Sequence, residues 1–273
     1  MSESVLQPAY VDSAGKKIFV LLRAAAEARR CVLFVPPFAE EMNKCRRQFT
    51  ETAQVLLRRG LAVLTVDLFG TGDSEGEFCE ASWRQWKSDV ESAACWAEAE
   101  YDLMVDSVVA CRIGCALAAE SFRDFQRATA STIFWQPVVE GRRFMTQFLR
   151  LRVAASIMED DNKDTVADLR LRLAEGQSVE IAGYELAPEL WAAVESSDLC
   201  RLVDARLGRL SMFEVSGPSG TAISRAGQNF IETVAVQGVE VSGYRVAGEP
   251  FWSTTEVVVN SELACRTSEV IAG

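Results

Sequence analysis

A chain of 273 residues, 49% of them hydrophobic, can bury a sizeable core as one large domain or two modest ones, and disorder is excluded. Its 39 acidic residues against 28 basic ones give a net charge of -11, which excludes a general nucleic-acid surface, because such a surface must neutralise phosphates. Histidine is absent, so a Ser-His-Asp or Cys-His machine within one chain is excluded, and any general acid or base must be Asp, Glu, Cys, Lys or Tyr or come from a partner.

The chain opens with VLQPAYV and KKIFVLL flanking Asp12-Ser13-Ala14-Gly15, a turn sequence that predicts a hairpin. CVLFV at 31–35 reads as a short strand stopped by Pro36-Pro37. Residues 43–59 place Phe49, Ala53, Leu56 and Leu57 on one helical face, and Gly60 ends that helix. LAVLTVDLFG at 61–70 reads as a strand running into the loop TGDSEGEF, and a helix is expected over 81–99. MVDSVVA supplies the next strand, CRIGCALAAESF the next helix and STIFW at 131–135 a further strand. This alternation predicts an α/β fold with a mostly parallel sheet and helices on both faces.

The pattern changes after Gln136-Pro137. RRFMTQFLRLRVAASIM and DTVADLRLRLAEG read as helices, VEIAGYEL at 179–186 interrupts them, and helical sequence resumes over 188–195. LSMFEV at 210–215, a helix near 222–235 and VEVSGYRV at 239–246 restore the sheet pattern. The expected organisation is therefore a core of residues 1–137 and 206–273 carrying a helical cap or lid insertion over 138–205.

Eight cysteines, at 31, 45, 79, 95, 111, 115, 200 and 265, have neither disulfide-framework nor zinc-site spacing, so no metal and no cofactor is expected. The first residues, MSESVLQPAYV, lack a basic region feeding an apolar one, and no 18-residue apolar run occurs. A cytoplasmic chain without a membrane span is the expectation.

The pieces FVPPFAEEMNKCRR, DLFGTGDSEGEF followed by WRQW, CRIG, WQPVVEGRRFMTQFLRLRVA, VEIAGYEL and GEPFW resemble, in that order, the exosortase A system-associated hydrolase, type 2. The resemblance covers nearly the whole chain. It implies the α/β-hydrolase fold and a place in bacterial exosortase and exopolysaccharide functions, although fold similarity is a weak warrant for activity. In that fold the junction written here VACRIG, residues 109–114, reads G-x-S-x-G, with the serine on a strained strand-to-helix turn. Arg112 occupies the serine position, as the resembled family's G-L-R-x-G has it, while Ala110 stands for the usual first glycine and Cys111 for a leucine.

An arginine is permanently protonated and is no nucleophile, so binding and polarisation are its realistic tasks. A helix start disfavours a cation, which makes carboxylate partners or a bound anion necessary for Arg112. Glu40 and Glu41 are the leading partners for it, or for Arg46 and Arg47. By the same resemblance the backbone N–H groups of Phe38 and Ile113 correspond to an oxyanion cradle. The triad acid's place falls at Glu214 or the Ser216-Gly217 turn, and the histidine's place at GEPFW, where Glu249 stands. Glu41 and Glu249 are the candidates for a catalytic carboxylate, Gln136 for hydrogen bonding to a ligand, and Trp252 for stacking on one. Cys111 reads as packing.

The arginines among Arg142–Arg152 form a basic patch beside an apolar face, compatible with an anionic carrier lipid or glycan at the membrane surface or with surface salt bridges. Three functions stay open. One is a binding protein on a hydrolase frame, taking an anionic small molecule, glycan or lipid-linked intermediate. Another is an atypical hydrolase in which a carboxylate assists attack of water on an ester or acyl group. The third is a structural or partner-binding subunit, as in a homodimer through the cap.

Overall fold

In the computed structural model the described residues are 5–158, 164–217 and 222–273. Strands β1 (Val5–Ser13) and β2 (Lys16–Ala24) form the opening hairpin, and both turn residues, Ala14 and Gly15, have positive φ, 51° and 81°. β3 (Arg30–Val35), helix α1 (Glu40–Arg58), β4 (Ala62–Val66), α2 (Trp83–Tyr101), β5 (Met104–Cys111), α3 (Gly114–Asp124) and β6 (Ser131–Trp135) then alternate as the sequence pattern implies. β4 ends earlier than expected: Asp67 N–H makes the last ladder bond to β2, at Phe19 O, and the Asp67 carboxylate accepts from Asp73 N–H to close the loop. α1 starts earlier than expected, because Ala39 takes a left-handed turn (φ 50°) that lets Glu40 and Glu41 form the first helical turn. Two carboxylates there suit the helix dipole.

The segment read as a cap holds α4 (Gly141–Met158), α5 (Val166–Ala174), a small hairpin of β7 (Val179–Ile181) and β8 (Tyr184–Leu186), α6 (Pro188–Ser196) and the short α7 (Leu199–Leu202). Its residues 159–163 lie outside the described residues. The sheet resumes with β9 (Arg209–Ser216), α8 (Arg225–Val236) and β10 (Val241–Ala247), and α9 (Ser261–Ala272) closes the chain. α9 escaped the sequence reading because its buried stripe mixes Leu263, Ala264 and Ile271 with Thr267 and Ser268, which mutes the apolar periodicity.

The eight strands run in the order β1-β2-β4-β3-β5-β6-β9-β10; β1 and β2 are antiparallel to their neighbours and the rest are parallel. Strand alternation splits the core into two layers. Cys31, Leu33 and Val35 of β3 pack on the side of α2, α3 and α8, whereas Val32 and Phe34 pack with Phe49 and Leu56 of α1 and Leu263 of α9. No helix among the described residues is long and apolar enough to cross a membrane.

Candidate functional site

β3, β5 and β6 end side by side, and three non-glycine residues just past those ends have positive φ: Ala39 at 50°, Arg112 at 57° and Gln136 at 44°. Such backbone is costly for residues with a Cβ and persists only where the surroundings fix it. Here they do. Arg112 N–H donates to Trp135 O at 2.9 Å and Gln136 N–H to Phe213 O at 2.7 Å, so each continues the sheet ladder beyond its strand. Gly114 completes the elbow: a Cβ on it would stand 2.4 Å from Pro36 O, so only glycine lets α3 start this close to the β3 loop.

The left-handed turn aims Arg112 away from the sheet. Its Nε donates to Glu41 Oε1 at 3.1 Å and its Nη1 to Gln136 O at 3.4 Å, and Nη2 has no hydrogen-bond partner among the described residues. The guanidinium lies 5.2 Å from the Trp252 ring centre and 5.9 Å from that of Phe144, so the cation faces two aromatic rings. With side chains 15% and 19% exposed, Arg112 and Glu41 form a largely desolvated pair. Glu41 Oε2 is buried and has no partner among the described residues. Burial pushes the Glu41 carboxyl above the usual range, against the pull of the Arg112 charge and hydrogen bond.

Arg112 sits between two cavities. One, of about 320 Å³, is lined by Glu41, Lys44, Phe144, Phe148 and Trp252 among others; the second, of about 450 Å³, runs along Glu140, Arg143, Asn229 and Phe230. Arg112, Phe144 and Gln147 are common to both. Phe38 joins the floor to α4: its ring meets Phe148 at 5.2 Å and Phe144 at 5.8 Å, edge to face.

Several candidate residues therefore meet: Phe38, Glu40, Glu41, Arg112 and Trp252 all line the smaller cavity. Of the two proposed carboxylate partners Glu41 holds Arg112, while Glu40 is paired with Lys44 at 2.9 Å. Arg46 and Arg47 turn to Asp67 and Glu51 rather than to Glu40 or Glu41. Gln136 contributes its backbone carbonyl to Arg112; its side-chain Oε1 accepts from Val215 N–H at 2.9 Å, which ties it to β9 rather than to either cavity. Glu249 is exposed on the loop after β10 and lines neither cavity. Neither the Phe38 nor the Ile113 N–H has a hydrogen-bond partner among the described residues, but Ile113 is buried and borders neither cavity.

At the triad acid's place, Glu214 accepts from Ser224 N–H and Oγ–H and so holds Ser224, whose Oγ caps α8 by accepting from Gly227 N–H. Cys111 is fully buried with its Sγ 3.9 Å from Cys45 Sγ, and burial drives the Cys45 thiol well up, which suits packing rather than chemistry. No cluster of three or more Cys, Asp and Glu able to hold a metal occurs among the described residues. Sequence reasoning missed Phe144, Phe148 and Lys44 as site residues. The first two share one face of α4 at i,i+4 spacing, a signal that reads equally as ordinary packing.

The fold has counterparts among solved structures. Est1E from Butyrivibrio proteoclasticus with bound ferulic acid superposes over 97% of this chain and 100% of its own at a TM-score of 0.70 and 15% identity. A putative hydrolase from Agrobacterium vitis S4 matches with 98% coverage of both chains, a TM-score of 0.62 and 12% identity. An esterase from Pyrococcus furiosus, PF2001, matches over 98% of this chain and 90% of its own at 0.61 and 14%. The chain has the α/β-hydrolase fold. No protein-family model and no curated protein matches it. Within the α/β-hydrolase frame, the elbow keeps the strained geometry that normally presents a serine, and presents a guanidinium instead.

Proposed function

We propose that this chain is a binding protein built on the α/β-hydrolase frame, and that it holds the anionic group of a partly apolar ligand on Arg112. The observation that carries the reading is the guanidinium at the elbow, set against the Trp252 and Phe144 rings and lining two cavities, with Nη2 unpartnered among the described residues. An arginine with unused donors in a desolvated, aromatic setting favours a carboxylate, sulfonate or phosphate over water. Aromatic walls at Phe144, Phe148 and Trp252 suit an apolar body attached to that anion. Est1E is seen with ferulic acid, an aromatic carboxylic acid, which supports the compatibility of this frame with such a ligand. The sequence resemblance to exosortase-associated proteins favours a glycan- or lipid-linked ligand of exopolysaccharide or envelope metabolism. In this reading the segment 138–205 is the cap that roofs the site through α4.

The test is thermal denaturation of wild type and Arg112→Ala with and without octanesulfonate, below its micelle concentration. A ligand at about a hundred times its Kd stabilises by about 2.7 kcal/mol. Stabilisation of the wild type alone is expected, and equal shifts for both proteins, or none for either, would remove the arginine from the site. A serine-directed fluorophosphonate probe should leave the protein unlabelled, because the chain supplies no histidine to activate a hydroxyl. Stoichiometric labelling of one serine would overturn the non-catalytic part of the proposal.

A further inference from the structure

Glu41 is the polar group of the site that nothing else in the molecule uses fully. Its Oε1 is fixed by Arg112, whereas Oε2 is buried without a partner, on a side chain that lines the smaller cavity. An orphaned buried oxygen costs free energy unless something completes it. If Glu41 were ionised, a ligand anion drawn to Arg112 would meet a second negative charge one hydrogen bond away. If it carries a proton on Oε2, the same atom becomes a donor and the repulsion disappears.

We propose that Glu41 is a specificity-determining residue that holds a proton in the complex, so that an oxyanion is gripped by Arg112 on one oxygen and by the Glu41 Oε2–H on another. This rests on the anion-binding reading above and adds a ligand class: anions with at least two acceptor oxygens, bound together with one proton taken from solution. No bond other than the O–H of Glu41 is made or broken. Burial already lifts the carboxyl toward the protonated form. The charged or titratable groups facing it are few. Glu40, Lys44 and Cys45 stand on α1, with Lys44 neutralising Glu40, and Arg112 stands at the elbow beside Cys111. The cavity-lining residues of α4, Phe144, Gln147, Phe148 and Leu151, and those of the loop after β10, Trp252 and Ser253, do not titrate.

The deciding experiment measures the affinity of octanesulfonate by calorimetry from pH 5 to 9, in cationic buffers such as imidazole and bis-Tris that do not compete for an anion site. Octanesulfonate holds no titratable proton in this range, so any pH dependence belongs to the protein. Affinity should fall about tenfold per pH unit above the Glu41 titration, as one linked proton requires. In Glu41→Gln, whose amide keeps a donor but cannot titrate, binding should persist with a flat pH profile. A flat profile in the wild type, or an unchanged slope in Glu41→Gln, overturns the proton-carrying role and leaves the anion site standing. Absence of octanesulfonate binding at every pH overturns the anion-binding reading itself.

Discussion

Two buried carboxylates sit on opposite sides of this sheet, and their surroundings differ in one respect. Asp89 of α2 is completely satisfied: Ser13 Oγ–H donates to it at 2.6 Å, Phe69 N–H at 2.8 Å and Gln85 Nε2–H at 2.8 Å. Glu41 of α1 has one partner for one oxygen and none for the other. Burial raises both carboxyls, so desolvation alone does not distinguish them. Satisfaction does. Asp89 ties the β1–β2 hairpin, the loop after β4 and α2 into one unit, and neither of its oxygens is left without a donor. Glu41 leaves one oxygen without a partner beside a cation, which is what the proposed binding role uses.

The largest effect should come from the satisfied region. Asp89→Ala strands two buried donors, Ser13 Oγ–H and Phe69 N–H, and should cost about 3–5 kcal/mol, read by urea denaturation. A loss near zero would mean that the network is ornamental. Arg112→Ala should cost less, about 2–3 kcal/mol, because the abandoned Glu41 can neutralise itself by protonation. The same variant should lose stabilisation by octanesulfonate, a readout Asp89→Ala cannot mimic.

Smaller still is the pH term. The folded-state Glu41 titrates above its ordinary value, so its contribution is fully present below that value and is lost as pH rises through the raised one. Asp89 contributes with the same sign, so the informative quantity is the difference between wild type and Glu41→Gln. The variant should decline less from acidic toward neutral pH in thermal melts; parallel curves would show that Glu41 does not titrate abnormally. Glu249→Ala should be smallest, within about 0.5 kcal/mol, with no change in octanesulfonate affinity. Any larger effect would return Glu249 to the site.

The fold was legible because strand and helix periods alternate cleanly from β3 to β6 and again from β9 to β10. The lost final helix shows the limit of that signal, since Thr267 and Ser268 are buried through packing partners that no local pattern announces. The Arg112–Glu41 pair was legible as one of two options. Glu40 and Glu41 are adjacent in sequence, and which of them turns inward depends on where α1 starts, a boundary the sequence pattern places three residues late. Gln136 was misplaced as a ligand contact because its strand-end position is visible in sequence, whereas the Val215 amide that claims its side chain is distant along the chain.

Arg112 and Gln136 each extend the sheet ladder one residue past the strand that carries them, and Val138 N–H returns to Arg112 O at 3.3 Å. The backbone beneath the guanidinium is thus stitched on both sides, a fixed floor for the proposed ligand. Motion during exchange is left to side chains above it, chiefly the Phe144 and Phe148 rings that meet Phe38. Residence time should therefore respond to changes at those rings more than to changes in the floor, whose part is to hold the charge still.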